Sequence, residues 1–327
     1  MSGCMETGKP LIAILMAVYE PKMEWLREQL ASLEAQTYPN LRLYVRDDCS
    51  PTVSFESIQR CVAECITSFP YEIKRNEQNL GSNGTFERLT GEAEGEYFAY
   101  CDQDDIWLPE KLTVLQEEMD RSGAQLVCSD MVIIDGNGEQ IADSITKIRR
   151  RHRFCSGNGL AAGLLISNFA TGCTVLVRAE TAKAAVPFCP YMVHDHYLAL
   201  FAAEKGEIRS LSEPLIRYRT HGGNQTSLLA GVTDKESYGR VRIDLMLNRL
   251  LWLQKHFSSD EKTRAIIDNA VVWAQARKSN WKRQGGRRTI WRYRKYSLLP
   301  SLFELFAPWV PEPLFRLFLG AGKRNLI

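Results

Sequence analysis

The feature that most constrains the fold is an alternation of apolar, strand-like runs with helix-like segments through the first half of the chain. Residues 11–18 (LIAILMAV) are apolar throughout, as is typical of a parallel strand covered on both faces. Trp25, Leu26, Leu30 and Leu33 then recur at helical spacing. Further strands are predicted at 41–45, 71–74, 97–101, 125–134 and 173–177, with helices at 54–68, at 82–93 and from Pro109. This alternation predicts an α/β fold with an open, mostly parallel sheet and helices on both faces.

The C-terminal part of the chain differs in character from this alternation. Two longer helical patterns fill residues 234–282, and residues 290–319 mix aromatic, proline and apolar residues. A length of 327 residues suits one large domain with an appendage. We therefore predict a catalytic domain at 1–230 and a helical, basic and aromatic extension at 231–327.

Cysteine usage and hydropathy bear on the cellular compartment. Nine cysteines follow no metal or disulfide spacing, and we interpret Cys61 and Cys65 as ordinary buried thiols. The N-terminus lacks the long apolar core of a signal peptide, and no apolar run reaches the roughly 18–20 residues of a membrane span. The sequence therefore predicts a reduced, cytoplasmic protein.

Acidic residues stand directly after two of the predicted strands. Asp47 and Asp48 follow one strand, and Asp102, Asp104 and Asp105 follow another. Ligands of open parallel sheets bind beyond the carboxyl ends of the strands, so both groups should face one crevice. Crowded carboxylates repel one another, and a hard cation such as Mg²⁺ or Mn²⁺ relieves this and can bridge substrate phosphates. The alternative is a solvated turn in which Asp105 caps the next helix.

Short motifs in a fixed order add a family resemblance. They are MAVY at 16–19, DDCS at 47–50, NLG at 79–81, DQDDIW at 102–107, TGC at 171–173, HDH at 194–196 and YRTHGGN at 218–224. Together they resemble family 2 glycosyltransferases, which have the glycosyltransferase A-type fold, a Rossmann-like sheet that binds nucleotide sugars. The resemblance covers about residues 10–227. The DQDDIW form and the YRTHGGN ending look most like bacterial rhamnosyltransferases and related surface-polysaccharide enzymes.

The resemblance implies a nucleotide site at the ends of the first strands. Ala17 and Tyr19 would lie at the nucleotide, with Tyr19 against the base. Asp48 would accept a hydrogen bond from a uracil-like or thymine-like ring. Asn79 and Gly81 would lie where a loop passes close to the nucleotide.

The resemblance also implies a metal and diphosphate site. Asp102 and Asp104 match the family's Asp-x-Asp element, with Asp102 also at the nucleotide and Asp104 the best candidate for direct metal contact. Asp105 either supports the metal shell or caps the helix. Arg219 and His221 are candidates for the leaving-group end, since Arg binds phosphate in bidentate fashion and neutral His ligates metals. The alternative for this segment is a glycine-rich surface hairpin.

The catalytic base and the acceptor pocket are implied by two further motifs. From residue type alone, Asp195 suits the N-cap of an apolar helix. The resemblance places it at the catalytic base of inverting members, where it would take the proton of the acceptor hydroxyl. Gly172, Cys173 and His194 would shape the acceptor pocket, where a glycine lets a sugar approach the backbone closely.

Two basic segments suggest anionic partners. Residues 277–295 contain nine Lys or Arg and no acid, interleaved with aromatic residues, which suits an anionic membrane surface. The alternatives are a tail that packs on the catalytic domain or on a second subunit, and nucleic acid, for which no recognisable fold is present. Residues 147–153 (KIRRRHR) are interpreted as a solvated loop, with binding of an anionic acceptor as the alternative.

These features predict an inverting, metal-dependent glycosyltransferase that moves a sugar from a dTDP- or UDP-sugar to a hydroxyl of a glycan or lipid-linked acceptor. Its setting would be surface-polysaccharide biosynthesis, such as O-antigen or capsule, at the inner face of the cell membrane. The resemblance to rhamnosyltransferases suggests dTDP-rhamnose as the donor. The uracil base of UDP-glucose, UDP-galactose and UDP-N-acetylglucosamine fits the same predicted base-binding residues. The alternatives are a sugar nucleotidyltransferase, whose Gly-rich basic loop is missing after the first strand, and a non-catalytic scaffold, which would not need the acidic set.

Overall fold

The computed structural model describes residues 8–149, 152–221 and 231–324, the last four of these by backbone only. The chain forms two compact units. The first consists of the described residues up to Leu160 together with Asn168–Phe188 and Val193–His221. The second consists of Ala161–Ser167, Cys189–Met192 and the described residues from 231 onward. The second unit is therefore assembled from three stretches of sequence.

The first unit is built on a nine-stranded sheet within the described residues. Its strands are β1 (Ile12–Val18), β2 (Leu41–Asp47), β3 (Tyr71–Arg75), β4 (Tyr97–Cys101), β5 (Ile106–Trp107), β6 (Leu126–Ile134), β7 (Gln140–Ala142), β8 (Val175–Arg178) and β9 (Ile208–Arg219). Their order is β3-β2-β1-β4-β8-β6-β9-β5, with β7 on the side of β6. The first four strands are parallel to one another, whereas β8 is antiparallel to both β4 and β6. The sheet is therefore mixed beyond β4, where the sequence predicted a mostly parallel one.

The mixed half follows from chain direction rather than from composition. A 3₁₀ turn at Gly172–Thr174 leads into β8, which runs back beside β4. A parallel neighbour would need a crossover, whereas an antiparallel one does not. β9 returns parallel to β6, and β5 and β7 add antiparallel edges to β9 and β6.

Seven α-helices of the described residues belong to the first unit, and an eighth that falls among them in sequence belongs to the second. They are α1 (Met23–Glu34), α2 (Phe55–Cys65), α3 (Gly81–Glu92), α4 (Lys111–Ser122), α5 (Ile145–Ile148), α7 (Ala179–Ala184) and α8 (His194–Lys205), with α6 (Ala161–Leu164) in the second unit. The apolar stripe of α1 is buried at Trp25, Leu26, Leu30 and Leu33, as its spacing predicted. Side chains of β1 from Ile12 to Met16 are fully buried, as a central parallel strand requires.

The second unit is helical. It contains α9 (Lys235–Tyr238), a π-helical segment at Gly239–Asp244, α10 (Leu245–His256), α11 (Glu261–Trp281), α12 (Arg287–Arg292), α13 (Leu298–Glu304) and α14 (Glu312–Arg324). Tyr238, Trp281 and Phe315 pack together in one apolar cluster. No helix among the described residues is long and apolar enough to cross a membrane.

A buried ion pair organises the second unit. The Arg277 guanidinium donates to both carboxylate oxygens of Glu304 at 2.6 Å, and the Tyr238 hydroxyl donates to the same group at 2.9 Å. The Asn280 amide donates to the Glu304 carbonyl at 2.6 Å. Because both charges are buried and hydrogen-bonded, loss of either partner would leave an uncompensated buried charge. Arg277, from the basic run, is therefore part of the core of this unit.

Candidate active site

The carboxyl ends of β1, β2 and β4 meet at one edge of the sheet. The register pairs Val18 with Asp47 and Met16 with Cys101. The Asp48 amide donates to the Val18 carbonyl at 2.7 Å. The acidic residues that follow β2 and those that follow β4 therefore lie beyond neighbouring strand ends, as the sequence predicted.

Gln103 ties the end of β1 to the acidic turn. Its Oε1 accepts from the Tyr19 amide at 2.8 Å, and its Nε2 donates to the Tyr19 carbonyl at 3.0 Å. The Glu20 amide donates to Ser50 Oγ at 2.9 Å. These bonds hold the Tyr19 backbone while its ring remains 45% exposed. Ala17, two residues earlier in β1, is half-buried.

Asp48 anchors the turn that contains Asn79 and Gly81. Its Oδ1 accepts from the Leu80 amide at 2.7 Å and from Asn76 Nδ2 at 2.8 Å. Asn79 Nδ2 donates to the Asp48 carbonyl at 3.3 Å, and Gly81, at φ +71°, donates its amide to Asn79 Oδ1. Three of the predicted nucleotide-site residues, Asp48, Asn79 and Gly81, therefore belong to one hydrogen-bonded group. Asn76 was missed because it lies outside the NLG motif.

The partly buried Asp102 and the buried Asp105 and Cys173 form a cluster in which one potential ligand atom of each lies within 4.8 Å of the others. Burial and the neighbouring Asp105 raise the pKa of Asp102 well above its usual value. Burial and Asp104 raise the pKa of Asp105 to about 7. Burial also raises the pKa of the Cys173 thiol, which keeps it protonated and a poor ligand. The donor set that remains is carboxylate oxygen, which fits a hard divalent cation.

Asp105 does not cap the following helix. α4 begins at Lys111 with Glu110 at its N-cap position. The Asp105 Oδ1 instead accepts from the Arg219 amide at 2.9 Å. The capping alternative is therefore wrong, because a short strand, β5, intervenes between the acidic turn and the helix.

Asp104 and His221 are brought into direct contact. His221 Nε2 lies 2.6 Å from Asp104 Oδ2, and the His221 ring packs against Trp25 with ring centroids 5.0 Å apart. This contact could not be predicted from the sequence, because the two residues are 117 positions apart. Two of the three residues proposed as metal ligands, Asp104 and His221, are thus neighbours in space.

The Arg219 guanidinium is buried and committed to partners within the first unit. Its Nε donates to the Asp104 carbonyl at 2.8 Å, and its Nη2 forms an ion pair with Glu28. Its Nη1 donates to the carbonyls of Asp135 and Gly136 at 3.4 and 3.3 Å. Arg219 ends strand β9 and is 1% exposed, so the surface-hairpin alternative is wrong for this residue. Gly222, Gly223 and Asn224 of the same motif lie outside the described residues.

A buried cation, Lys111, lies beneath the acidic cluster. Its Nζ donates to the Cys173 carbonyl at 2.5 Å and lies 3.1 Å from the centroid of the Trp107 ring. Burial lowers the pKa of Lys111 to about 7. A lysine one residue into a helix carries no sequence signal for such a role, and it was missed.

Asp195 lies in the first turn of α8 with both carboxylate oxygens hydrogen-bonded. Oδ2 accepts from the Gly172 amide at 2.9 Å, and Oδ1 accepts from Asn168 Nδ2 at 3.1 Å. The N-cap position of α8 is Val193, so the capping alternative for Asp195 is wrong. Burial raises the pKa of Asp195 to about 6. Its carboxylate is therefore ionised at neutral pH, and its pKa lies close enough to 7 for it to serve as a general base.

His194, Gly172 and Cys173 lie close together, as the proposed acceptor pocket requires. A Cβ at Gly172 would lie 2.7 Å from His194 Nε2, so the glycine is required by close packing of this ring. The His194 ring stacks on Phe86 at 4.1 Å, and its amide donates to Asn83 Oδ1 at 2.7 Å. Burial lowers the pKa of His194 to about 3, which leaves the imidazole neutral.

The fold and this site define a class of transferase in which acidic residues follow the strands and face the site for a nucleotide sugar. A model of glycosyl transferase family 2 matches residues 13–183, more than half of the chain. The chain therefore belongs to glycosyl transferase family 2 and is a glycosyltransferase that uses a nucleotide-sugar donor. The resemblance read from the sequence is confirmed.

Similar proteins agree with this assignment. The dTDP-rhamnosyl transferase RfbG of Shigella flexneri is 24% identical over 275 residues, which cover 79% of this chain and 86% of RfbG. TarS 1–349 of S. aureus, solved with UDP-GlcNAc, has a TM-score of 0.56 and 17% identity over 91% of this chain and 79% of that one. The mannosyltransferase PcManGT of Pyrobaculum calidifontis, solved with GDP-Man and Mn²⁺, has a TM-score of 0.54 and 14% identity over 92% and 80%. The two structures confirm the glycosyltransferase A-type fold.

Proposed function

We propose that this glycosyltransferase is an inverting, divalent-cation-dependent enzyme in bacterial surface-polysaccharide assembly. It transfers a sugar from a dTDP- or UDP-sugar to a hydroxyl of a glycan or lipid-linked acceptor. The observation that carries the proposal is the carboxylate of Asp195, which is hydrogen-bonded through both of its oxygens. Asp195 takes the proton of the acceptor hydroxyl as its oxygen attacks the anomeric carbon from the face opposite the leaving nucleotide. A single displacement of this kind inverts the anomeric configuration.

The cation site consists of Asp102 and Asp104 with His221, supported by Asp105. The mutually repelling carboxylates fit Mg²⁺ or Mn²⁺, and the related fold of PcManGT was solved with Mn²⁺. A bound cation supplies stabilisation of the charge that develops on the leaving diphosphate. Because the Arg219 guanidinium already binds Glu28 and the Asp104 carbonyl, we assign it to positioning Asp104, which replaces our expectation of direct phosphate contact.

The donor nucleotide lies against Ala17 and Tyr19 and above the group formed by Asp48, Asn79 and Gly81. Similarity to RfbG favours dTDP-rhamnose, and the shared fold of TarS makes UDP-GlcNAc the second probe. On the acceptor side, the pocket is shaped by the three residues beside Asp195, namely Gly172, Cys173 and His194.

Donor binding and proton transfer are separable by two variants. Asp104→Ala removes a proposed metal ligand, so we expect it to abolish the Mn²⁺-dependent thermal shift produced by dTDP-rhamnose or UDP-GlcNAc. Asp195→Asn keeps the shape of the site and should retain that shift, since a ligand at about 100 times its Kd stabilises the folded state by about 2.7 kcal/mol. A metal-dependent shift that survives in Asp104→Ala would contradict the cation assignment.

The second unit presents an apolar and basic surface that suits a membrane. Half of the exposed large apolar side chains among the described residues lie between Trp291 and Phe318. Arg287 lies over the rings of Phe306 and Trp309, at 5.3 and 5.0 Å from their centroids. Aromatic rings beside arginines match the headgroup boundary of an anionic bilayer. We therefore propose a cytoplasmic protein peripheral on the inner face of the cell membrane, without nucleic-acid binding.

Vesicle binding tests this location. We expect the protein to co-sediment with liposomes that contain phosphatidylglycerol, and the double variant Leu317→Glu/Phe318→Glu to bind at least about tenfold more weakly, because two exposed apolar side chains no longer enter the interface. Leu251→Glu, an exposed leucine on α10, is the matched control and should bind as the wild type does. Equal binding of all three proteins would contradict the proposal, and a dimer without vesicle binding would favour subunit packing.

A further inference from the structure

Asn168 contacts the carboxylate of Asp195 and also shapes the loop that approaches it. Its Nδ2 donates to Asp195 Oδ1 at 3.1 Å and to the Ala170 carbonyl at 2.7 Å. Its Oδ1 accepts from the Ala170 amide at 3.0 Å. The loop that Asn168 closes continues into Gly172, whose amide donates to the other oxygen of Asp195. Two hydrogen bonds to Asp195, one to each carboxylate oxygen, therefore come from this one short loop.

These two donors are joined by a third, a backbone amide of α8. Among charged groups, Arg149 favours the ionised carboxylate, and Asp102 lies near enough for mutual repulsion. The neighbouring His194 is neutral, and the His196 amide donates to the carboxylate. Because burial opposes ionisation, each donated hydrogen bond favours the charged form that a base needs. An orienting partner of this kind also fixes the direction of the remaining lone pairs.

We infer that Asn168 is a positioning residue that orients the Asp195 carboxylate for proton abstraction. The inference rests on the proposed role of Asp195 as the base. Each carboxylate oxygen accepts one hydrogen bond from the loop, which leaves lone pairs for the acceptor hydroxyl. An amide suits this position because it donates to the carboxylate and pairs with the Ala170 backbone simultaneously.

Two substitutions at Asn168 separate orientation of the base from loop structure. Asn168→Ala removes the donor and the loop bonds. Asn168→Asp retains an acceptor for the Ala170 amide but sets a second carboxylate against Asp195, which raises the pKa of the base by like-charge repulsion. Asn158→Ala changes an exposed asparagine outside the site and serves as the matched control.

The test measures Mn²⁺-dependent release of dTDP from dTDP-rhamnose and of UDP from UDP-GlcNAc across pH. We expect Asn168→Ala to lower kcat about tenfold or more with the donor KM within about twofold, because an interaction with a charged group is lost in the step that uses it. The acid limb of kcat should move upward by about one pH unit in Asn168→Ala and further in Asn168→Asp. Asn158→Ala should match the wild type.

The outcomes distinguish this inference from the proposal on which it rests. Wild-type turnover by Asp195→Asn would remove Asp195 as the base, and the inference with it. An inactive Asp195→Asn together with wild-type kcat and acid limb in both Asn168 variants would overturn the inference alone. If Asn168→Ala does not fold, the acid limb of Asn168→Asp decides the question by itself.

Discussion

Removal of water from around the Asp195 carboxylate lowers the stability of the folded state at neutral pH. Its pKa rises from 3.8 to about 6 on folding, so the folded state binds its proton more tightly than the unfolded chain does. The stability associated with this proton is present below pH 3.8 and is lost as pH rises through 6. The shift of about 2 pKa units corresponds to a loss of about 3 kcal/mol in the free energy of unfolding at pH values above 6.

Asp195→Asn should therefore become relatively more stable as pH rises. We expect the free energy of unfolding of this variant, relative to the wild type, to increase by up to about 3 kcal/mol between pH 4 and pH 8. Denaturant unfolding at a series of pH values measures the difference. A difference that stays constant with pH would contradict the raised pKa of Asp195.

The residues of the site differ in whether the sequence alone could identify them. The resemblance picked out Asp195, Asp48 and the acidic turn, because each belongs to a short motif. It could not reveal Asn168, Lys111 or the Glu28 partner of Arg219, since each acts through a contact made by folding across many positions. For Arg219, residue type suggested phosphate binding, and the contacts of its guanidinium with the Asp104 carbonyl and with Glu28 could not be predicted.

At the scale of elements, the turn Gly172–Thr174 and helix α8 must approach very closely. The space for a side chain at Gly172 is occupied by the His194 ring, which Phe86 holds in place from the other side. The same turn donates the Gly172 amide to Asp195. The close approach of two elements therefore also positions the base.

Gly172→Ala tests this approach. We expect it to lower the free energy of unfolding by about 1–3 kcal/mol, because the added methyl group would lie 2.7 Å from Nε2 of the His194 ring, which packs against Phe86. Gly91→Ala, in α3, meets no atom within 4 Å and is the matched control, which should be neutral or slightly stabilising. Equal stability of the two variants in chemical denaturation would contradict the packing account.

Elements with strong local signals were predictable. The fully apolar run of β1, the helical stripe of α1 and the strands β2 to β4 are confirmed. Strand direction beyond β4 was not predictable, since the period of a buried strand is the same in parallel and antiparallel pairs. β8, which pairs antiparallel with β4, is the first strand that departs from the parallel pattern of β1 to β4.

At the scale of the whole molecule, charge and apolar surface are distributed differently in the two units. The first unit gathers carboxylates beyond its strand ends, with Lys111 beneath them. The second unit combines a buried Arg277–Glu304 pair with exposed aromatic and basic residues. The basic composition of 277–295 was readable from sequence, but the division between Arg277 in the core and Arg287 at the surface was not.

The most direct test of the central claim is release of nucleoside diphosphate from dTDP-rhamnose and UDP-GlcNAc by the wild type and by Asp195→Asn, each with Mn²⁺ and with EDTA. The account predicts turnover of one donor by the wild type with Mn²⁺, and loss of that turnover with EDTA or in Asp195→Asn although the variant still binds the donor. Turnover that persists in EDTA would contradict the cation site, and turnover by Asp195→Asn at the wild-type rate would contradict the assignment of the base.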